Sequence, residues 1–161
     1  MRTVRYEPIG VIHSPLKNVS SAPLQSASAR HIEGAVKLFP EYVAGLKDLE
    51  EFSHLFLIYH FHLSRKVPLR VKPFPDNKEH GVFATRAPAR PNPIGLSIVR
   101  LKGVKHGTIY VEGLDVVDGT PLLDIKPYLP QFDVRRTQKI GWYKGKLRRL
   151  QSAEADRRFA R

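Results

Sequence analysis

The segment from Gly81 to Tyr128 constrains the fold most, because apolar strand-like runs alternate there with polar loops that contain proline. It includes GVFATRAPARPNPIGLS, an apolar stretch from Ile98 to Gly113, and LDVVDGTPLLDIKPY. Leu96–Lys105 and Thr108–Leu114 are predicted to form a hairpin that turns at His106-Gly107. Rigid loops that display charged groups commonly form binding sites. The polar loop residues are Arg86, Arg90, Asn92, Asp115, Asp118, Asp124 and Lys126.

Further strands are predicted before this segment and at its start. The predicted strands are Val4–Ile12, Gly34–Phe39, His54–Leu63 and Gly81–Ala84. After Pro40, apolar residues at intervals of three predict one short helix up to Phe52. Residues 14–30 and 64–80 are predicted loops, because they are rich in Ser, Pro and charged residues. Several strands, one helix and no βαβ rhythm predict a mainly β fold, a small antiparallel β-barrel.

Composition narrows the class of protein. The 161 residues suit one domain, and the absence of cysteine excludes disulfides, thiolate catalysis and cysteine-ligated metals. Because neither an apolar span of roughly 18 to 20 residues nor an N-terminal signal core is present, we expect a soluble, cytoplasmic protein.

The formal charge of +12 is distributed unevenly, and it divides the chain in two. Residues 1–133, the predicted barrel domain, hold 17 Lys/Arg and 13 Asp/Glu, whereas residues 134–161 hold 10 and 2. A strongly basic C-terminal extension is typical of a protein that binds a polyanion such as RNA, although a solubilising terminus is the alternative.

A dinucleotide-binding fold is not expected. No two of the 11 glycines are separated by a single residue, so the chain contains no G-x-G-x-x-G motif. An adenosine-bearing cofactor would therefore require a pocket of another kind, outside a Rossmann fold.

Two loops carry the most specific local signals. In Arg90-Pro91-Asn92-Pro93 the prolines fix φ around Asn92, which either holds polar groups ready for a ligand or forms a structural turn. Asp115 and Asp118 lie three residues apart before a Gly-Thr-Pro turn. Such carboxylates suit the binding of ribose hydroxyls, of an amino group or, with less support, of a divalent cation. The alternative is a turn without function.

Other chemistry-bearing residues leave alternatives open. His60 and His62 are expected on one face of a strand, but a zinc site lacks its third ligand, so structural or ligand-edge roles are favoured. Arg86 either pairs with Asp124 or holds a carboxylate. In the extension, Trp142 and Tyr143 lie among cations, which suits stacking on bases or docking of a last strand on the barrel.

Four ordered strings between residues 9 and 130 resemble the TsaA-like family: IGVIHSP, EEFSHLFLIYHFH, GVFATRAPARPNPIGLS and LDVVDGTPLLDIKPYLP. The resemblance implies a homodimeric β-barrel that binds S-adenosylmethionine and methylates N6 of threonylcarbamoyladenosine at tRNA position 37, in the anticodon arm. The implied cofactor residues are Gln25, Ser26, His62, Leu63, Arg86, Leu96, Asp115, Val116, Val117 and Asp118. Many relatives carry Pro-Arg-Gln where this chain has Pro23-Leu24-Gln25.

Mechanism and RNA contacts follow from that resemblance. Asn92 and Asp118 are the candidate catalytic residues, on the hypothesis that a group near the proline-flanked loop accepts a hydrogen bond from N6 as a weak base. Loss of the basic extension is expected to weaken tRNA binding and to spare cofactor binding. The expected RNA-binding residues are Arg90, Lys126, Lys144, Lys146, Arg148 and Arg149. The rival functions are a non-catalytic RNA-binding barrel and a metal-assisted hydrolase built on His60, His62 and Asp115; no metal is expected.

Overall fold

Six antiparallel strands close a barrel. The computed structural model describes residues 3–18, 29, 31–64, 69–73 and 76–147. The strands among these residues are β1 (Gly10–His13), β2 (Glu33–Leu38), β3 (His54–His60), β4 (Arg70–Val71), β5 (His80–Gly81), β6 (Ile94–Lys105), β7 (Thr108–Glu112) and β8 (Thr120–Pro127). The barrel order is β1-β2-β7-β6-β3-β8, β8 pairs back to β1, and β4 and β5 form a separate two-stranded sheet. The predicted mainly β, barrel architecture is confirmed.

Alternation of buried and exposed residues explains why these segments are strands. On β3, Leu55, Leu57 and Tyr59 are buried, and the residues between them are partly exposed. The pattern continues on β6, where Ser97 and Val99 are buried. Since side chains on a strand alternate between its two faces, each strand contributes one face to the interior of the barrel. The core is therefore assembled from one face of every barrel strand.

The β6–β7 hairpin turns where the sequence predicted. His106 and Gly107 have φ angles of 49° and 74°. Positive φ at both central residues is the signature of a type I′ turn, whose twist matches that of the flanking strands.

Helical structure is shorter and tighter than predicted. The predicted helix after Pro40 is two 3-10 helices, Pro40–Leu46 and Leu49–Glu51. Asp48, between them, has a φ of 64°, which an α-helix does not accommodate. The remaining helical elements are the 3-10 turns Val82–Ala84 and Gly141–Tyr143 and the one-turn helix α1 (Pro130–Asp133). No helix among the described residues is long and apolar enough to cross a membrane.

Several strand predictions need correction. The first strand begins at Gly10, not Val4, and Val82–Ala84 forms a 3-10 turn after β5. The third barrel strand ends at His60, so His62 lies in the turn that follows. Strand β8 was missed, because prolines at 121 and 127 favoured a loop. Asp124 and Lys126 therefore lie on a strand that pairs with both β1 and β3, and not in a loop.

Candidate functional site

A chain of hydrogen bonds links three elements at one end of the barrel. The Tyr59 hydroxyl, on β3, lies 2.9 Å from Ser97 Oγ on β6. Ser97 Oγ donates to Asp115 Oδ1, in the β7–β8 loop, over 2.5 Å. Because the Ser97 proton is used on the carboxylate, Ser97 accepts its bond from Tyr59. Tyr59 and Ser97 are 3% and 1% exposed, so the barrel interior fixes the position of Asp115.

The charge of Arg86 also acts on Tyr59. Burial raises the pKa of Tyr59 most, and the Asp115 charge raises it further, while the Arg86 charge lowers it. The charges of Arg86 and Asp115 therefore both act on the buried Tyr59 hydroxyl.

A buried threonine holds the Arg86 loop in shape. Thr85 Oγ1 donates to the Val82 carbonyl over 2.8 Å, and Arg90 Nη1 donates to the Thr85 carbonyl over 3.3 Å. Arg90, predicted to bind RNA, thus makes a bond within the protein. Asn92 is exposed, and its carbonyl accepts from the Ile94 N–H over 2.8 Å. The loop presents the Arg86 and Asn92 side chains to solvent.

Asp118 lies in a second cluster, beside the end of β1. Its carboxylate accepts from the Ser14 N–H over 3.1 Å, pairs with Lys17 Nζ at 2.6 Å and lies 3.3 Å from His13 Nδ1. The Lys17 hydrogen bond is the main cause that lowers the pKa of Asp118 to about 2. An open cavity of about 640 Å³ adjoins this cluster. Its lining includes His13, Lys17, Lys102, Tyr110 and Asp118.

The remaining implied cofactor residues are spread around these loops. Leu63 and Leu96 are 48% and 53% exposed, and Leu96 faces outward, on the opposite face of β6 from Ser97. Burial, followed by the charge of His60, lowers the pKa of His62. Val116 is buried in the core, and the Val117 carbonyl accepts from Thr120 Oγ1 over 2.6 Å. Gln25 and Ser26, like Leu24, lie outside the described residues.

The predicted RNA-binding lysines differ in their surroundings. Lys126 pairs with Asp124 over 2.8 Å, so Asp124 has a partner other than Arg86. Lys146 pairs with Asp76, and Lys144 is exposed. Arg148 and Arg149 lie outside the described residues. No group of three or more potential metal ligands occurs in the part of the chain that the structure describes.

Sequence reasoning missed the polar residues that organise the two clusters. Tyr59 and Ser97 lie within predicted apolar strands, and His13 and Lys17 lie outside the segment from Gly81 to Tyr128. One signal was available for Ser97, because it occupies an inward position on an alternating strand, where a hydroxyl must find a partner.

Comparison with known proteins places the chain in a family. A model of the family described as the tRNA-methyltransferase O N-terminal domain matches residues 11–134. A probable S-adenosyl-L-methionine-binding protein of Pyrococcus abyssi is 54% identical over 154 residues, which cover 96% of this chain and 84% of the relative. The tRNA (adenine(37)-N6)-methyltransferase of Escherichia coli is 43% identical over 140 residues, which cover 81% of this chain and 60% of the relative.

Solved structures agree with the sequence comparison. A crystal structure of TrmO from Pseudomonas aeruginosa has a TM-score of 0.73 and 38% identity, and the alignment covers 88% of this chain and 63% of that chain. The chain thus spans most of the Pyrococcus abyssi relative but less than two thirds of the bacterial methyltransferase and of TrmO. The resemblance inferred from the four sequence strings is confirmed, and the chain belongs to the TsaA-like family of the tRNA-methyltransferase O N-terminal domain.

Proposed function

We propose that this protein is an S-adenosylmethionine-dependent methyltransferase that acts on N6 of an adenosine in tRNA. The hydrogen-bonded chain of Tyr59, Ser97 and Asp115, on which the Arg86 charge also acts, is the observation that carries the proposal. We extend it to threonylcarbamoyladenosine at position 37 of the anticodon arm, in the cytoplasm. Relatives named as tRNA (adenine(37)-N6)-methyltransferases and as S-adenosyl-L-methionine-binding proteins support this assignment.

The donor set at the site fits the charges of S-adenosylmethionine. Arg86 offers a guanidinium suited to the carboxylate of a methionine moiety, and Asp115 offers a carboxylate suited to ribose hydroxyls or an ammonium group. Ser97 holds one oxygen of Asp115 in place. A carboxylate and a guanidinium together match the charges of a zwitterionic nucleoside.

The protein's role in the reaction is mainly positioning. When bound, the cofactor supplies a methyl group already activated by the sulfonium. Two loops anchored on a barrel orient the reacting groups and exclude water, for which orientation supplies several kcal/mol. Asn92, exposed on the proline-flanked loop, remains the candidate to accept a hydrogen bond from N6. Asp118, the second candidate from the sequence, is paired with Lys17 and is the weaker of the two.

Exchange at Arg86 tests the site. Arg86→Met removes the guanidinium and keeps the length of the side chain, so we expect cofactor affinity to fall roughly tenfold or more, as for a lost charged hydrogen bond. Arg100→Met is the matched control, since Arg100 is an exposed arginine on β6. Isothermal titration calorimetry with S-adenosylmethionine measures both. An unchanged affinity in Arg86→Met contradicts the assignment of this site.

The same titration separates catalysis from simple RNA binding. A non-catalytic RNA-binding barrel binds tRNA and gives no heat with S-adenosylmethionine. Transfer of a labelled methyl group to tRNA with and without the threonylcarbamoyl group identifies the substrate. Mass spectrometry of the nucleoside at position 37 then locates the product.

We also propose that the protein is a homodimer that pairs through the outer face of β6. Ile94, Leu96 and Ile98 form an apolar row there and are 42%, 53% and 40% exposed. Exposed apolar rows of this kind commonly mark contacts between proteins. Light scattering of Leu96→Asp is expected to show a monomer, whereas a dimer of unchanged mass contradicts this interface.

A further inference from the structure

The segment from Ile140 to Leu147 packs against the small β4–β5 sheet and the turn after it. Trp142, the single tryptophan of the chain, stacks with His80 at 4.5 Å between ring centroids and an interplanar angle of 19°. Its Nε1–H donates to the Ala84 carbonyl over 2.8 Å. Tyr143 stacks with Trp142 at 3.9 Å and 25°. The indole is therefore occupied by contacts within the protein.

The carboxylate of Asp76 stabilises the docked segment through contacts with Lys146 and His80. Asp76 Oδ2 pairs with Lys146 and lies 3.0 Å from His80 Nε2. The hydrogen bond from Lys146, followed by that from His80, holds the pKa of Asp76 far below its usual range. Lys146 Nζ also lies 5.6 Å from the centroid of the Trp142 ring, a cation-π distance. Asp76 thus contacts both His80, the stacking partner of Trp142, and Lys146, the cation beside Trp142.

Two glycines shape the turn that carries the aromatic pair. Gly141 and Gly145 have φ angles of 58° and 79°, in the left-handed region that favours glycine. The Lys146 N–H donates to the Tyr143 carbonyl over 2.9 Å, which closes the turn. The backbone conformation therefore supports the same docked arrangement as the side chains.

Tyr143 connects this docked segment to the candidate cofactor site. Burial raises the pKa of the Tyr143 hydroxyl most, and the charge and the backbone N–H of Arg86 lower it. The geometry agrees, because Tyr143 stacks on Trp142, whose Nε1–H is bonded to the Ala84 carbonyl two residues before Arg86. Since the Arg86 charge also acts on Tyr59, Arg86 lies within electrostatic reach of both tyrosines.

We propose that residues 140–147 form a fixed wall of the methyl-donor site, with Trp142 as the anchor and Tyr143 as the positioning residue for Arg86. This inference rests on the proposed function. Trp142 already stacks with His80 and Tyr143, and Lys146 already pairs with Asp76. Of the two described lysines of this segment, Lys144 is the exposed one and remains available to RNA. The basic extension is thus divided into a docked part and a solvent-facing part.

The first test separates cofactor binding from RNA binding. Tyr143→Phe keeps the stacked ring and loses the hydroxyl on which Arg86 acts, so we expect the KM for S-adenosylmethionine to rise roughly threefold to tenfold. The KM for tRNA and the melting temperature are expected to stay unchanged. Lys144→Ala, the matched control, is expected to weaken tRNA binding and leave the KM for S-adenosylmethionine unchanged. The reverse pattern in the two variants overturns the proposal.

The second test needs no cofactor, because Trp142 is the only tryptophan and its fluorescence reports on docking directly. Acrylamide is expected to quench Trp142 weakly in the unsubstituted protein and more strongly in Asp76→Asn, which weakens the fastening of Lys146 and His80. Strong quenching in the unsubstituted protein overturns the docked wall.

The two readouts also separate this inference from the proposed function. A protein that shows a protected Trp142 but no heat with S-adenosylmethionine contradicts the proposed function. A protein that binds the cofactor and in which Tyr143→Phe has no effect on its KM contradicts the wall alone.

Discussion

Asp115 and Asp118 are three residues apart in one loop, yet they lie in different surroundings. Asp115 accepts a hydrogen bond from the buried Ser97 and lies near Tyr59, whereas Asp118 pairs with Lys17 beside the end of β1. Between them, Val116 is buried and its carbonyl accepts from Ser14 Oγ over 2.7 Å. The apolar residue that separates the carboxylates anchors the loop and directs them to different partners.

This difference suggests that the two acids have different tasks. The Asp118 charge is already balanced by a lysine and supported by a backbone N–H. A carboxylate satisfied in this way joins the β7–β8 loop to the end of β1. Asp115 is held by the barrel interior at Ser97, and its charge and that of Arg86 both act on the Tyr59 hydroxyl. Equal spacing in sequence therefore does not imply a shared ligand.

The largest effect is expected from exchanging each acid for its amide. Asp115→Asn keeps the shape and removes the charge, so we expect the affinity for S-adenosylmethionine to fall by about 1.5–3 kcal/mol, the range for hydrogen bonds to charged groups. Asp118→Asn, the matched control, is expected to change that affinity less than about threefold, in the range of exposed pairs. Calorimetry on both variants measures the contrast. Equal losses would show that the two acids hold the cofactor together.

The sequence predicts the fold better than it predicts the candidate site. The barrel and the β6–β7 hairpin follow from alternation and turn chemistry. The partners of Asp118 do not, because His13 and Lys17 are about 100 residues away and reach it only through the pairing of β1 with β8.

The docked C-terminal segment illustrates a second limit. Trp142 among basic residues has the composition of an RNA-binding segment, and composition cannot reveal that His80 and Ala84 supply its partners. Strand β8 was missed for a related reason, since local proline signals were overridden by pairing with two neighbouring strands. Local patterns predict elements well, and contacts between distant segments decide which polar groups remain available.

A smaller effect is expected where the barrel supports Asp115. Gly95 pairs with Tyr59 across β6 and β3, and a Cβ at position 95 would overlap the Tyr59 ring. Gly95→Ala is therefore expected to lower the free energy of unfolding by about 1–3 kcal/mol, as for an overpacked core. Its displacement of Tyr59 should also weaken cofactor binding.

Gly45→Ala provides the matched control, because a Cβ there meets nothing within 4 Å. Urea unfolding of both variants measures the difference. Equal stability of the two variants would mean that the Tyr59 ring moves without cost and that Asp115 does not depend on it.

The smallest effect is expected on the Asp118 side. The folded pKa of Asp118, about 2, lies below the ordinary value of 3.8, so the carboxylate stabilises the fold above about pH 4 and loses that contribution as the pH falls toward 2. Lys17→Met is expected to raise the pKa toward 3.8, though not fully, because the Ser14 N–H and His13 remain. The stability lost at neutral pH should stay below about 1 kcal/mol, as for an exposed pair, and should vanish near pH 2.

Carbon-13 NMR titration of the Asp118 carboxyl group measures its pKa. Lys102→Met is the control, because Lys102 pairs with Glu33 and Glu112. If the Asp118 pKa is the same in both variants, Lys17 does not balance its charge, and Asp118 regains its place beside Asp115 as a candidate ligand group.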